Sequence, residues 1–180
     1  MPPWLAQIKY HQKKEIPKNP SRWVQLATIS LDNTPRVRTV VFRGWTNLYE
    51  MKIFIDKRSE KFDELKYNNN VEVCWLFKKS KCQFRFRGNS TLAFCDETTS
   101  AWEQLDDKAK SMWGWPSPGD VYTELFDNHK IIEESSNNVN NFVLLKINIS
   151  QVDQLIIGNP KHIRRQWIRK NNWTEERLNP

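Results

Sequence analysis

The residues whose types and spacing could support chemistry lie close together in the stretch 35–61, PRVRTVVFRGWTNLYEMKIFIDKRSEK. Its composition predicts a strand, a turn, a second strand and then the start of a helix. Basic and hydroxyl side chains beside the free backbone N–H groups of a helix N-terminus form a binding site for phosphate. The stretch therefore predicts an anion site. The side chains that would form it are Arg38, Arg43, Arg58, Ser59 and Lys61.

Arg38 is the strongest candidate in this stretch, because strand alternation places it on one face with Val40 and Phe42. An arginine among apolar residues needs an anionic partner, since burying an unpaired charge is costly. A phosphate would satisfy it, and an exposed position on an edge strand is the alternative. Arg43 falls on the opposite face of a regular strand. It would face the same ligand only if the chain bends near Gly44.

The basic run at the predicted helix start has a plain alternative, because such runs are usually solvated. Here Ser59 is a plausible N-cap, and an anion at a helix N-terminus gains about 0.3–1 kcal/mol from the helix dipole. Further along, Gln83, Arg85 and Arg87 share one strand face, and an ordinary polar surface would explain all three.

Hydrophobic periodicity predicts the rest of the fold. Strand patterns fall at 22–31, 36–42, 52–55, 71–77, 82–87 with a continuation to 94, 142–149, 152–157, 162–169 and 173–178, and helical patterns at 4–13, 59–67, 98–113 and 120–134. The strands follow one another in hairpins instead of alternating with helices. This favours a mainly β fold, an antiparallel sheet or barrel with covering helices. The 180 residues suit one domain spanning 1–180.

The composition narrows the classes of partner and compartment. A formal net charge of +7 fits nucleic acid, an anionic membrane surface or anionic small molecules, and equally a solvated basic surface. Cys74, Cys82 and Cys95 have no CxxC spacing, which argues against a disulfide framework or a zinc site and favours a reducing compartment. No apolar run reaches the ~20 residues of a membrane span, and the N-terminus has no apolar signal core. We expect a cytoplasmic protein.

Other chemistry-bearing residues favour structural roles. His129 lies on an apolar helical stripe and is predicted to be a core or interface residue, and His11 and His162 have no partner spaced for metal binding. The sequence contains no nucleophile elbow, no Walker loop and no paired-carboxylate signature.

Several segments together resemble the pyridoxamine 5′-phosphate oxidase family, the FMN-binding split barrels, and especially its oxidase-related branch of unsettled substrate. They come in the family's order: RTVVFR at 38–43, FIDKRSEK at 54–61, ELKYNNNVEVCWLF at 64–77, QFRFRG at 83–88, WPSPG at 115–119 and the closing segment 158–180, which ends in RLNP. The resemblance covers nearly the whole chain.

The resemblance implies an antiparallel split β-barrel that binds FMN at the interface of a homodimer and acts on a small molecule. Arg38 and Lys61 would contact the phosphate, with Arg58 and Ser59 nearby. Gln83 would reach the flavin ring, commonly from the second subunit. The backbone that would run along the ring edge is that of Arg38, Thr39, Val40, Val41 and Phe42.

The chain departs from the family pattern near its C-terminus. Leu155 stands where the oxidase has a tryptophan against the flavin, and Gln166 stands where it has a late FMN-binding arginine, with Arg165 beside it. His162 and Arg164 occupy the positions of the arginine and histidine that hold the substrate phosphate. The resemblance therefore supports the cofactor better than the vitamin B6 substrate.

We expect an FMN-dependent oxidoreductase whose substrate and electron acceptor the sequence does not name. Arg43, His162 and Arg164 are its candidate substrate residues. One alternative is a non-catalytic module that stores or senses a flavin or another cofactor in the same pocket. Another is nucleic-acid binding through the basic, aromatic surface, for which the sequence contains no recognised motif.

Overall fold

The computed structural model describes residues 1–15, 22–122, 138–158 and 160–180. The helices are α1 (Pro3–Lys14), α2 (Glu60–Tyr67), α3 (Cys95–Glu103) and α4 (Asp107–Ser111). The strands are β1 (Trp23–Ile29), β2 (Pro35–Trp45), β3 (Met51–Asp56), β4 (Asn70–Phe77), β5 (Cys82–Leu92), β6 (Phe142–Ile156), β7 (Ile163–Ile168) and β8 (Glu175–Leu178).

The strands form an antiparallel barrel with an extension. Their order is β3-β2-β1-β4-β5-β6-β7-β8, and an additional pairing of β3 with β6 closes the first six strands into a ring. Strand β6 has two partners on the same edge: residues 142–147 pair with β3, and residues 151–156 pair with β7. One long strand therefore closes the barrel and also carries the β7–β8 hairpin away from it. The predicted mainly β, antiparallel architecture is confirmed.

Strand β6 differs from the prediction, which divided it into two strands. It is continuous over 15 residues, with a register shift against β5 between Arg87 and Gly88. The shift interrupts the alternation of apolar residues, which made one bulged strand look like two. A Cβ atom at Gly88 would lie 2.1 Å from the carbonyl oxygen of Asn148, so the close approach of the two backbones requires glycine.

The core consists of rings and aliphatic side chains that face into the barrel, and α1 packs onto it. Trp4, Leu5 and Ile8 of α1 are buried. Trp4 contacts the rings of Trp45, Phe86 and Trp173 at centroid distances of 5.4–6.0 Å. We call this region the helix-covered core. The predicted N-terminal helix forms because this apolar face has the barrel interior to cover.

Two of the predicted helices need comment. The helix predicted over 98–113 is divided into α3 and α4, because the carboxylate of Asp106 accepts a hydrogen bond from the backbone N–H of Ala109 at 2.7 Å and so caps a new helix. The helix predicted over 120–134, with its stripe Leu125, Phe126, His129 and Ile132, falls largely outside the described residues, as does the expected role of His129.

Candidate functional site

A cavity of about 350 Å³ lies beside β2 and β3 and brings together most of the residues predicted at the cofactor. We call it the cation cavity, because three basic side chains and one acidic side chain, that of Asp56, line it. Its predicted members are Arg38, Thr39, Val40, Val41, Arg43 and Lys61. Strand β2 supplies one wall, β3 supplies Phe54 and Ile55, and the opposite wall is Met112 and Trp113.

Arg38 has the anionic partner that its position demands, and that partner comes from within the chain. Its guanidinium donates to the Glu64 carboxylate of α2 at 2.7 Å and to the Thr28 hydroxyl of β1. Thr28 in turn donates to Glu64 at 2.5 Å, and both of these partners are buried. An arginine has five N–H donors, so further donors of Arg38, whose side chain is 22% exposed, are available to a ligand. Glu64 orients Arg38 without using up its hydrogen-bonding capacity.

Lys61 lies in the first turn of α2 and meets Arg38 at the same cavity. Burial is the main cause that lowers the pKa of its ammonium group, and the charge of Arg38 lowers it further. The described residues offer Lys61 no ion pair within 4 Å. Arg38, Arg43 and Lys61 line the cavity with a single carboxylate, that of Asp56, and this lining leaves a surplus of positive charge that the phosphate of a ligand would offset.

Arg58 and Ser59 stand at the predicted helix start, but their side chains are committed to other partners. Ser59 is the N-cap residue of α2, as predicted, yet its hydroxyl donates to the Asp56 carbonyl at 2.5 Å and caps no helical N–H group. Arg58 forms an ion pair with the Asp56 carboxylate at 2.7 Å. Neither residue is among those that line the cation cavity.

Arg43 reaches the same cavity as Arg38 because the strand is irregular, as the prediction required. The pairing of β2 with β3 shifts register between Phe42 and Trp45, and Gly44 has a φ of +110°, which favours glycine. The Arg43 guanidinium lies 5.0 Å from the centre of the Phe54 ring. Its Nε atom is buried and has no hydrogen-bond acceptor among the described residues. Burial, and then the charge of nearby Arg22, lowers the pKa of Arg43.

A second and larger cavity, of about 900 Å³, adjoins the first and shares Arg43 and Phe54 with it. Arg22, Lys52 and Lys146 also line it, and Lys146 is held by Glu97 of α3 at 2.7 Å. The two cavities therefore adjoin along β2 and β3 with Arg43 at the junction, and Phe42, which the resemblance places beside the flavin ring, lines only the second of them.

Gln83, Arg164 and Gln166 lie on other strands, away from the cation cavity. Gln83 pairs in register with Leu155 on the outer face of β5 and β6. Arg164 lies 3.5 Å from the Asp153 carboxylate, and the Gln166 amide donates to the same carboxylate at 3.3 Å. These residues do not line either cavity.

His162 also lies away from both cavities. It is exposed, and its ring Nδ1 accepts a hydrogen bond from the Gly158 N–H at 3.3 Å. The resemblance implies that Gln83 acts at the flavin ring and that His162 and Arg164 act at the substrate. Because all three lie away from both cavities, such roles would require a second copy of the chain.

The sequence analysis missed several residues of the site. Glu64 follows Lys61 by three positions on a helix, which places the two on one face, so its proximity could have been inferred. Asp56 precedes Arg58 by two residues and could also have been suspected. Thr28 and Trp113 come from distant parts of the chain, and no local signal marks them.

The part of the chain that the structure describes contains neither a metal site nor a membrane-spanning helix. No group of three or more His, Cys, Asp or Glu side chains there could hold a metal ion. No helix in that part is both long and apolar enough to cross a membrane.

Comparisons with known proteins show the family of the chain. The family model "Pyridoxamine 5′-phosphate oxidase, FMN-binding domain" matches residues 1–93. The chain is similar to pyridoxine/pyridoxamine 5′-phosphate oxidase 2 of Arabidopsis thaliana, with 30% identity over 174 residues, which is 89% of this chain and 88% of the relative.

Solved structures agree. A pyridoxamine 5′-phosphate oxidase-related, FMN-binding protein from Nostoc punctiforme superposes with a TM-score of 0.87 at 29% identity, over 100% of this chain and 99% of that one. PhzG from Burkholderia lata has a TM-score of 0.74 at 16% identity, over 98% and 89% of the two chains, and supports the fold alone. The barrel is the FMN-binding split barrel, and the chain belongs to the family of pyridoxamine 5′-phosphate oxidase FMN-binding domains.

Proposed function

We propose that this protein binds FMN in the cation cavity and is a flavin-dependent oxidoreductase, acting as a cytoplasmic homodimer on a small-molecule substrate. The observation that carries the proposal is the meeting of Arg38 and Lys61, from a strand and a helix start, at one cavity with surplus positive charge. Such a site recognises a phosphate dianion by charge-assisted hydrogen bonds.

The residues present fit the cofactor. Arg38 and Lys61 hold the phosphate, and Glu64 keeps Arg38 in place through its carboxylate. The β2 backbone from Arg38 through Thr39, Val40 and Val41 to Phe42 would hold the flavin ring. Gln83 reaches the ring from the second subunit, because its side-chain amide can both donate to and accept from the ring heteroatoms.

FMN would supply hydride or electron transfer, and the protein supplies binding and orientation. We assign Arg43 to an anionic group of the substrate, because its guanidinium is half-buried, lies between the two cavities and has no acidic partner within ion-pair distance among the described residues. His162 and Arg164 are proposed to complete the substrate site from the second subunit.

The first experiment is purification of the protein and identification of any released pigment. We expect a yellow protein with FMN rather than FAD, and a rise in melting temperature when FMN is added, because a ligand that binds only the folded state stabilises it. A colourless protein that FMN does not stabilise would contradict the proposal.

The catalytic part has its own test. The oxidised, flavin-loaded protein is mixed anaerobically with pyridoxamine 5′-phosphate, pyridoxine 5′-phosphate and other reductants, and bleaching of the flavin absorbance is followed. Reduction by a substrate, weakened in Arg43→Met, is expected. A flavin that no substrate reduces would favour the non-catalytic binding module.

A further inference from the structure

The guanidinium of Arg58 joins two parts of the chain that are far apart in sequence. Its Nε and Nη2 donate to the two oxygens of the Asp56 carboxylate at 3.0 and 2.7 Å. Its Nη1 donates to the Trp115 carbonyl at 2.9 Å, and Nη2 donates also to the Trp113 carbonyl at 3.2 Å. All three nitrogen atoms donate to groups of the chain itself.

The segment that Arg58 holds forms a wall of the cation cavity. We call residues 112–115 the wall segment; Met112 and Trp113 line the cavity. The Trp113 carbonyl accepts a second hydrogen bond, from the Asn141 side-chain amide at 2.9 Å. The Trp113 ring packs edge-on against Phe142 at 4.9 Å. Arg58 therefore links the wall segment to Asp56, which lines the same cavity from β3.

We propose that Arg58 is a positioning residue for the cofactor: it clamps the wall segment over the cation cavity and so slows the release of a flavin held there. This inference rests on the proposed function for the identity of the ligand. The geometry calls for arginine, because the planar fork reaches one carboxylate and two carbonyl groups at once, and a lysine ammonium cannot span them. The role differs from the phosphate contact that the position of Arg58 at a helix start predicts.

The clamp itself is measured first, in the flavin-free protein, by hydrogen–deuterium exchange of the backbone N–H groups within 112–118, which are those of residues 112–115 and 117 because Pro116 and Pro118 have none. Arg58→Lys is expected to speed this exchange about tenfold, because charge-assisted hydrogen bonds to two carbonyl groups are lost. Arg36→Lys is the matched control, since Arg36 is exposed, pairs with Asp32 and does not line the cavity. Asn141→Ala, which removes only one hydrogen bond to the Trp113 carbonyl, is expected to give a smaller change in the same direction.

The consequence for the ligand is measured by the dissociation of FMN and of riboflavin, which lacks the phosphate. If Arg58 holds the wall, Arg58→Lys speeds the release of both flavins by the same factor and leaves the ratio of their affinities unchanged. Lys61→Met, by contrast, is expected to reduce that ratio, because Lys61 acts on the phosphate alone.

The outcomes separate the two proposals. A loss in Arg58→Lys confined to FMN would make Arg58 a phosphate ligand and overturn the inference. Unchanged exchange at 112–118 in a variant that still binds flavin would overturn it also, with the proposed function intact. A wild-type protein that binds neither flavin would overturn the proposed function and, with it, the claim about flavin release. Slow hydrogen–deuterium exchange in the barrel strands of that protein would show that it is folded.

Discussion

The helix-covered core and the cation cavity differ in the groups that they contain. In the core, Trp4 is 1% exposed and contacts three other rings. In the cavity, three basic side chains and one carboxylate form part of the lining. The first region is held together by contacts among apolar side chains of the chain itself, and its described residues contain no charge that calls for a ligand. The second contains charge that folding leaves partly uncompensated. Stability and ligand binding are thus separated in space, so substitutions in the core should change the free energy of unfolding and substitutions in the cavity should change flavin affinity.

The largest effect on stability is expected in the helix-covered core. Trp4→Ala should lower the free energy of unfolding by about 3–5 kcal/mol, because it removes a buried aromatic side chain and leaves a cavity. Urea unfolding measures the loss. Phe94→Ala is the control, since Phe94 is 80% exposed and should cost little. Flavin affinity per folded molecule should not change, and a parallel loss of affinity would break the separation between the two regions.

Arg38 is expected to contribute both to stability and to flavin binding. Arg38→Ala should abolish flavin binding and also cost about 2–3 kcal/mol of stability, because it leaves the buried Glu64 carboxylate without its cation. The combined variant Arg38→Ala/Glu64→Gln should recover most of the stability and none of the binding. A double-mutant cycle by chemical denaturation measures the coupling. If Arg38→Ala alone were as stable as wild type, the pair would have no structural role.

Lys61 should show the opposite behaviour from Trp4. Lys61→Met is expected to weaken FMN binding at least tenfold and to leave stability within about 1 kcal/mol of wild type or slightly above it, because burial already disfavours the ammonium group. Fluorescence titration with FMN and a thermal melt of the flavin-free protein give the two numbers. A destabilised variant would mean that Lys61 has a partner on which folding depends.

The smallest effect is a pH dependence that originates in the helix-covered core. His11 is buried in α1, stacks on Phe77 and contacts the Gln154 amide at 3.2 Å. Burial lowers its pKa, and the charges of Lys14 and Arg165 lower it further. The unfolded chain protonates His11 near pH 6.5, where the folded protein resists protonation. Stability is therefore greatest above pH 6.5 and falls as the pH drops below it.

His11→Asn removes this titration. The variant should be less stable than wild type at pH 7, because it loses the contacts of the imidazole ring, but its unfolding free energy should fall less steeply between pH 7 and pH 5. Denaturation curves at several pH values measure the two slopes, and equal slopes would exclude His11 as the cause. Flavin affinity of the folded protein at pH 7 should be similar in both.

Strand alternation and hairpin spacing could be predicted from the amino-acid sequence alone. Alternation in β2 placed Arg38 with Val40 and Phe42, and the hairpin spacing determined an antiparallel architecture. The period of a hydrophobic pattern depends only on residues close in sequence, so it can be recognised without knowledge of the fold. The convergence of Arg38 and Lys61 on one cavity was also predictable, because strand, turn and helix follow one another within 35–61.

The hydrogen-bond partners of these side chains, by contrast, depend on the three-dimensional path of the chain. The sequence predicts that Arg58 contacts a phosphate, yet its hydrogen-bond partners include backbone carbonyl groups 55 and 57 residues away. Any residue supplies a backbone carbonyl, so no side-chain type marks such a partner, and the path of the chain alone brings it near. The same holds for the continuous β6, because its bulge depends on the register of a neighbouring strand.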